Sequence, residues 1–487
     1  MTQQSNSNLR LGMTFMASIF FVFGFITNFN IAMKDQVQLA FDLKTLYPGW
    51  ENFFAQLVNG VFFFAYFCFS FICGMIIKKI GYKNGVIAGL LLVATGSYLF
   101  FPAVSILSYP LFLGAIFVMA TGVVFLQTAA NPYVVALGPQ QTAPARLNLT
   151  QALNGVATTI APYLAGILVL APAVLALKNG SSAQDAADFV KMPFVIIGSI
   201  VVLIGFGILF IKLPEIKGNE TVGSMSALKK PQVWLGAIGI FCYVGAEVGT
   251  ASQISSYMTE LLNMAKDEAV KLTAIYWGGN MIGRFIGSVL LGTLPKIQKY
   301  KYSAFILVFA FFVGWFIFSA GVTDGVFVFE SKPIYGLIFF GIAVVNFLLM
   351  LLGKGIANVS LGIFAATNMF LVLAGFLLPP QIGMWCLLSV GFFNSIMFPN
   401  IFSLGVRDLD PGEMPIASGI INTMIVGGCF VPLIMGAMTD SVGLKAALLV
   451  PIICYAYITF FALKGSKIRE FNFNHETSLP ETSIVVS

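Results

Sequence analysis

Charge is what this sequence lacks most. Asp, Glu, Lys and Arg make up 9% of its 487 residues, against about 25% in an ordinary soluble domain. That scarcity excludes a water-facing globular surface. Histidine occurs once, at His475 in a polar tail, so no imidazole relay or His-based metal site is available in the apolar part of the chain. Cys68, Cys73, Cys242, Cys386, Cys429 and Cys454 all sit in apolar runs. Their spacing makes neither a metal site nor an extracellular disulfide framework, and they read as small hydrophobes. No Gly-rich phosphate loop is present, so work driven by ATP is not expected. The opening stretch MTQQSNSNLRLGMTF carries Arg10, but its apolar run continues at span length with no small-residue cleavage site, unlike a secretory leader. The net charge of +6 calls for no nucleic-acid partner, because topology accounts for it.

Apolar residues fill the gap. Hydrophobic types make up 58% of the chain, with 49 Phe and 48 Gly, as expected of apolar helices packing closely through small residues. Runs of the roughly 20 residues needed to cross a bilayer occur at 11–33, 53–77, 85–105, 110–137, 148–176, 193–211, 232–261, 270–294, 303–322, 334–352, 359–379, 383–406, 415–438 and 446–464, fourteen in all. An even count places both termini on one side. With the N-terminus inside, seventeen Lys and Arg fall in inner connections and seven in outer ones, which makes both termini cytoplasmic. The sequons at Asn148, Asn219 and Asn358 then lie inside and Asn179 outside. Lys34 and Arg284 remain as cations within the runs.

The chain repeats itself. FLQTAANPYVVALG (125–138) aligns with FFNSIMFPNIFSLG (392–405) at an offset of 267, pairing Gln127 with Asn394, Thr128 with Ser395 and Pro132 with Pro399. GMIIKKIGYK (74–83) aligns more weakly with GSVLLGTLPK (287–296) at an offset of 213. The offset grows by 54 across an interval holding two apolar runs. The economical account is a duplicated six-span unit with a two-span insertion. It divides the chain into an N-terminal half (1–212), a cytoplasmic linker (213–231), a C-terminal half (232–466) with an inserted hairpin at about 302–358, and a polar, disordered tail (467–487). The two-fold repeat is complete without the hairpin, so the hairpin is expected to be peripheral.

GMIIKKIGYK resembles the loop between spans 2 and 3 of the major facilitator superfamily, with Lys78 in place of the usual Asp. FLQTAANPYVVALGP, ARLNLTQALN, FCYVGAE, GRFIG and FPNIFSLGV resemble the fucose permease and glucose–galactose permease branch of that superfamily. The resemblance covers most of the chain except the extra hairpin, the 34–51 connection and the tails. It implies an all-α polytopic fold of two six-helix halves and a sugar:cation symporter of the inner membrane. Fucose permeases carry coupling carboxylates in spans 1 and 4; the matching positions here are Ile31 and Gln127. The glucose–galactose branch carries the YVGAE run found here, so the coupling site is expected to have moved to Glu247.

Glu247 interrupts an apolar run, GIFCYVGAEVGTASQISSYM. A charge at the bilayer centre costs about 2.5–3.5 kcal/mol even on the lenient insertion scale, so the residue needs a reason. One reading is a cation- or substrate-binding carboxylate facing a central cavity. The other is a structural carboxyl, protonated or paired with Arg284 or Lys34. Thr250, three residues on, shares the helix face of Glu247 and is its candidate partner for a coupling cation. Gln151 and Asn154 share a face of span 5 and match cavity positions in the resembled branch. With Gln127, Asn131, Asn28, Asn30, Asn59 and Asn394 they form the candidate substrate-binding set, because amides answer both the donor and the acceptor roles of a hydroxyl. Tyr243, Tyr276, Trp277, Phe62 and Trp385 are candidate stacking rings. Arg284, Lys78, Lys83 and Asp408 are assigned to gating or structure, Arg284 against a carboxylate such as Asp408. Lys34 and Asp35 fall near the outer end of span 1, where Lys34 can snorkel.

The expected function is uptake of a monosaccharide by alternating access, coupled to Na⁺ or H⁺, with Na⁺ favoured by the closer glucose–galactose resemblance. An uncoupled uniporter, a membrane sugar sensor and a polytopic enzyme are the competing classes; intramembrane acid/base clusters for the last are nearly absent. The implied partners are the sugar, the cation and the lipid bilayer. No cofactor or metal is implied, and a monomer suffices.

Overall fold

A computed structural model describes residues 3–32, 37, 41–48, 51–165, 183–210, 225–264, 266–323 and 326–469. Lys34, Asp35, Asn179, Asn219, the outer part of the 148–176 run, most of the 213–231 linker and the tail beyond 469 lie outside the described residues.

The apolar runs are helices because a chain in hydrocarbon must satisfy its own backbone polar groups. In order they are α1 (Gln3–Ala32), α2 (Glu51–Ser105), α3 (Tyr109–Ala136), α4 (Ala143–Ala165), α5 (Ala183–Phe210), α6 (Pro231–Leu262), α7 (Lys266–Leu290), α8 (Lys296–Ser319), α9 (Pro333–Leu352), α10 (Ala357–Leu377), α11 (Pro380–Asn394), α12 (Met397–Gly405), α13 (Met414–Thr423), α14 (Gly427–Val442) and α15 (Leu449–Leu463). Eleven stretches among the described residues are long and apolar enough to cross a membrane, which makes the chain a multi-pass membrane protein. One of these, Leu57–Ser105, is 49 residues long and breaks at Gly81, whose φ of 82° is left-handed and suits a residue without Cβ. Short helix starts are built from local chemistry: Ser108 accepts from the Leu111 N–H ahead of α3, and proline occupies the first turn of α6, α9 and α11, where a missing N–H costs nothing.

Helices of residues 3–210 pack chiefly on one another, α2 on α3 and α5, and α1 on α4. Those from 231 onward do the same, α6 on α14 and α15, and α10 on α11 and α15. Outside this second bundle, α8 and α9 pack together and against α7. They are joined by a two-stranded antiparallel ribbon, β1 (Ala320–Thr323) and β2 (Val326–Phe329), with Ala320 opposite Phe329. Phe339 of α9 packs on Phe392 of α11 with ring centroids 4.7 Å apart. The outer sides of α8 and α9 expose Phe305, Phe312, Phe316, Leu337 and Leu348, as a lipid-facing surface would.

The link between α11 and α12 has a sequence cause. Pro399 has no N–H to give the Ser395 carbonyl four residues back. Arg284 Nε donates to that oxygen instead, at 3.3 Å. One turn earlier, the Phe392 carbonyl accepts from Ser395 Oγ (2.7 Å) and from Asn346 Nδ2 of α9 (2.7 Å).

The two bundles meet on the face that carries the 78–83, 138–143 and 405–413 connections. Here α2 and α3 abut α13, and α4 abuts α7. Glycine sets the approach: a Cβ on Gly74 would lie 2.5 Å from the Pro415 carbonyl oxygen, and one on Gly419 would lie 2.7 Å from that of Ser70. Hydrogen bonds cross the seam from Tyr82 Oη to the Pro411 carbonyl (3.4 Å), from Asn148 Nδ2 to Asn400 Oδ1 (3.3 Å), from Asn422 Nδ2 to Thr128 Oγ1 (3.3 Å) and from the Asp408 N–H to Gln140 Oε1 (3.4 Å). Ser70 Oγ, Ser418 Oγ, Asn422 Oδ1 and both amide atoms of Asn131 are buried without a hydrogen-bond partner among the described residues.

Candidate functional site

Between the bundles lies a cavity of about 150 Å³. Its walls come from α1 (Phe23, Gly24, Thr27, Asn28), α2 (Phe62, Phe63, Tyr66), α3 (Gln127), α4 (Gln151, Asn154, Gly155, Thr158), α6 (Tyr243, Val244, Glu247, Val248), α7 (Trp277, Asn280, Met281, Arg284) and α12 (Phe398), with Ile425 beyond α13. No residue of α8 or α9 is among them.

Glu247 stands midway along the 32-residue α6 and is 8% exposed. Its Oε1 accepts from the Tyr243 hydroxyl (2.6 Å), one turn earlier on the same helix, and from Asn280 Nδ2 of α7 (2.5 Å). The Tyr276 hydroxyl donates to the Glu247 backbone oxygen at 2.9 Å. Oε2 takes no hydrogen bond among the described residues, and Glu247 lines the cavity.

Arg284 is also 8% exposed. Beyond its bond to Ser395, its Nη1 donates across the bundle boundary to the Gln151 backbone oxygen (3.1 Å) and to Asn154 Oδ1 (3.5 Å). Its rigid fork of five donors suits such a set of oxygens. It forms no direct ion pair with Glu247, whose Oε1 is instead bonded by the Tyr243 hydroxyl and Asn280 Nδ2. Nor does it meet Asp408, the carboxylate expected from sequence. Asp408 lies on the sealed face and pairs with Arg469, with Nη2 to Oδ2 at 2.8 Å, because the Pro399-freed carbonyl already holds the guanidinium within the bundle.

The candidate amides divide into three groups. Gln151 lines the cavity and its side chain bonds to no protein group among the described residues, so both its donor and acceptor are free. Gln127 accepts from the Tyr66 hydroxyl (2.7 Å) and keeps its NH₂, whereas Asn28 donates to the Gly24 carbonyl (3.2 Å) and keeps its oxygen. Asn154 is on the wall but committed, donating to the Phe20 carbonyl (3.0 Å) and accepting from Arg284. Asn30, Asn59, Asn131 and Asn394 are not on the wall. Asn394 is fully buried behind Glu247, donating to the Tyr276 hydroxyl (2.5 Å) and accepting from Asn368 Nδ2 (2.9 Å) and Tyr455 (2.9 Å). Thr250 is fully buried and not on the wall, and its Oγ1 has no hydrogen-bond partner among the described residues.

Of the candidate rings, Phe62, Tyr243 and Trp277 line the cavity; Tyr276 lies behind it, and Trp385 borders a separate surface depression. Lys78 is half-buried, and Lys83 Nζ donates to the Leu209 carbonyl at the end of α5 (3.3 Å). Sequence reasoning passed over Tyr66, Thr27, Thr158 and Phe398. The 267-residue offset pairs Phe398 with Asn131, which is itself off the wall, so the repeat did not point to it. Nothing separates Tyr66 from the other aromatics of FFFAYFCFSF.

The arrangement can hold a small polyhydroxylated molecule between aromatic faces and free amides, beside one carboxylate with an open oxygen. The Major Facilitator Superfamily profile matches residues 13–355. A glucose/galactose transporter of Brucella abortus is 34% identical over 471 residues, covering 95% of this chain and 96% of the relative. The L-fucose-proton symporter of Escherichia coli is 29% identical, covering 92% of this chain and 91% of the relative. A crystal structure of the transporter FucP in the outward conformation is 26% identical with a TM-score of 0.70, covering 95% of this chain and all of the other. The chain belongs to the Major Facilitator Superfamily.

Proposed function

We propose that the protein takes up a monosaccharide of the hexose class by secondary active transport, with Glu247 as the group that couples uptake to a cation. The observation that carries this reading is the shared cavity. It is walled by both bundles, with Gln151 on one side and Glu247 on the other. Relatives named as glucose/galactose transporters and L-fucose-proton symporters support a sugar as the cargo.

In this reading the two bundles are the two halves of a rocking transporter. Lysines and arginines gather on the sealed face, so that face is cytoplasmic, and the conformation is outward-facing, the state also named for the similar FucP structure. Sugar arriving from outside bonds to Gln151, Gln127 and Asn28 and packs on Phe62 and Trp277. A cation at Glu247 cancels its charge. The bundles then part along the glycine-rich seam and release both inward. Helices α8 and α9 are an inserted hairpin that braces the second half from its lipid side.

The test is uptake of radiolabelled glucose, galactose and fucose into proteoliposomes, with and without imposed Na⁺ or pH gradients. Concentrative uptake under one gradient supports symport. Equilibration alone would leave a uniporter, and binding without flux a sensor.

A further inference from the structure

Asn280 presents an unanswered polar atom at the centre of the molecule. The residue is 3% exposed and lines the cavity. Its Nδ2 is committed to Glu247 Oε1 at 2.5 Å. Its Oδ1, on the same planar amide, is buried and accepts no hydrogen bond among the described residues. A buried acceptor without a donor is costly, and turning the amide over would set oxygen against carboxylate oxygen. A protonated Glu247 removes the cost without moving the amide. A carboxylic acid has an O–H beside its C=O, and an amide has a C=O beside its N–H. Side by side, the two form a ring of two hydrogen bonds.

We infer that Asn280 is the partner of the coupling proton: when Glu247 takes up H⁺ on Oε2, that O–H donates to Asn280 Oδ1 while Asn280 Nδ2 keeps its bond to Oε1. The inference rests on the reading of Glu247 as the coupling group and deepens it by naming the ion and its second contact. One proton arrives from the outer solution through the cavity, the carboxylate goes from −1 to 0, and the same proton leaves to the inner solution after the bundles rock.

The surrounding groups favour a proton over a metal ion. A metal ion held by oxygens needs several ligands, and Glu247 Oε1 is already taken by two donors. Tyr243 on α6 and Asn280 Nδ2 on α7 both act as donors to Glu247, and Arg284 on α7 adds a positive charge nearby. The remaining titratable groups facing it are Tyr276 on α7 and Tyr455 on α15, and α11, α12, α13 and α14 bring it no charged group among the described residues. A single free acceptor suffices for an O–H.

The experiment is infrared difference spectroscopy on the reconstituted full-length protein between alkaline and acidic buffer, paired with hexose uptake under a pH gradient in Na⁺-free vesicles. Wild type should gain a carboxylic-acid C=O band that Glu247→Gln lacks. In Asn280→Leu the band should shift to higher frequency, and accumulation should fall at least tenfold. Should Asn280→Leu not fold, Asn280→Ser, which cannot close the ring, should show the same shift. A band unmoved by either variant would remove Asn280 from the proton site. No band, with uptake following Na⁺ at fixed pH, would overturn the proton. Both results leave Glu247 as the coupling group; accumulation surviving in Glu247→Gln would instead bring down that reading.

Discussion

Arg284 of α7 and Gln151 of α4 are joined across the bundle boundary by a hydrogen bond from guanidinium Nη1 to backbone oxygen, 3.1 Å long. The same side chain caps the carbonyl that Pro399 leaves open. Arg284→Met should therefore leave the buried Ser395 carbonyl without a donor and take from the Gln151 carbonyl, still bonded within its helix, a second one, costing about 1–3 kcal/mol and lowering the melting temperature in detergent. Arg284→Lys, a point charge without the fork, should fall between the two. A Met variant melting with wild type would show that the guanidinium holds nothing together.

Gln151 and Asn154 look equivalent in sequence and should part company when mutated. Gln151→Ala removes an amide free for ligand, so sugar affinity should drop about five- to 150-fold with stability unchanged. Asn154→Ala also breaks the bond to Phe20 and frees part of Arg284, so it should lower both affinity and melting temperature. Isothermal titration and thermal melts on the two purified variants separate these outcomes.

Glu247→Gln keeps the shape of the side chain and can still accept from Tyr243 and Asn280, but it cannot gain or lose charge. Accumulation against a gradient should vanish, and counterflow exchange, which needs only sugar binding and rocking, should continue. Full concentrative uptake by this variant would leave Glu247 a structural residue.

Deleting the α8–α9 pair by joining Lys299 to Ala357 through a short linker should leave sugar binding detectable, since no cavity-lining residue is lost. It should also destabilise the protein, because Asn346 no longer answers the Phe392 carbonyl. Asn346→Leu isolates that contact and should cost about 1–3 kcal/mol. Binding lost in the deletion but kept in Asn346→Leu would assign the hairpin a larger part in the site.

The helices were legible because an apolar run of span length has few alternatives to a helix. The place of Glu247 was legible for the same reason: its position in the run sets its height along α6. Which amides reach the cavity was not. Gln127 and Asn131 lie one turn apart on α3, yet only Gln127 is on the wall. Asn394, the repeat-mate of Gln127, is instead saturated by Asn368, Tyr276 and Tyr455. Those partners lie on α10, α7 and α15, remote in sequence, and periodicity within one helix carries no information about them. The hold on Arg284 was readable in principle. Pro399 announces an open carbonyl four residues earlier, a stronger local signal than the distant charge of Asp408.

The seal between the bundles is a joint made partly of polar groups with hydrogen bonds to spare. Ser70, Ser418 and Asn422 lie where α2 and α3 abut α13, and Asn131 lies on the α3 face that carries Thr128; each holds at least one buried polar atom without a hydrogen-bond partner among the described residues. Each such atom is uphill by about 1–3 kcal/mol until water reaches it, and the close glycine contacts must offset that to keep the joint shut. Opening therefore has hydration on its side. In a cycle that must open and close at every turn, the bound sugar need not prise apart a strong clasp. It need only tip a joint whose polar groups have bonds to gain on opening.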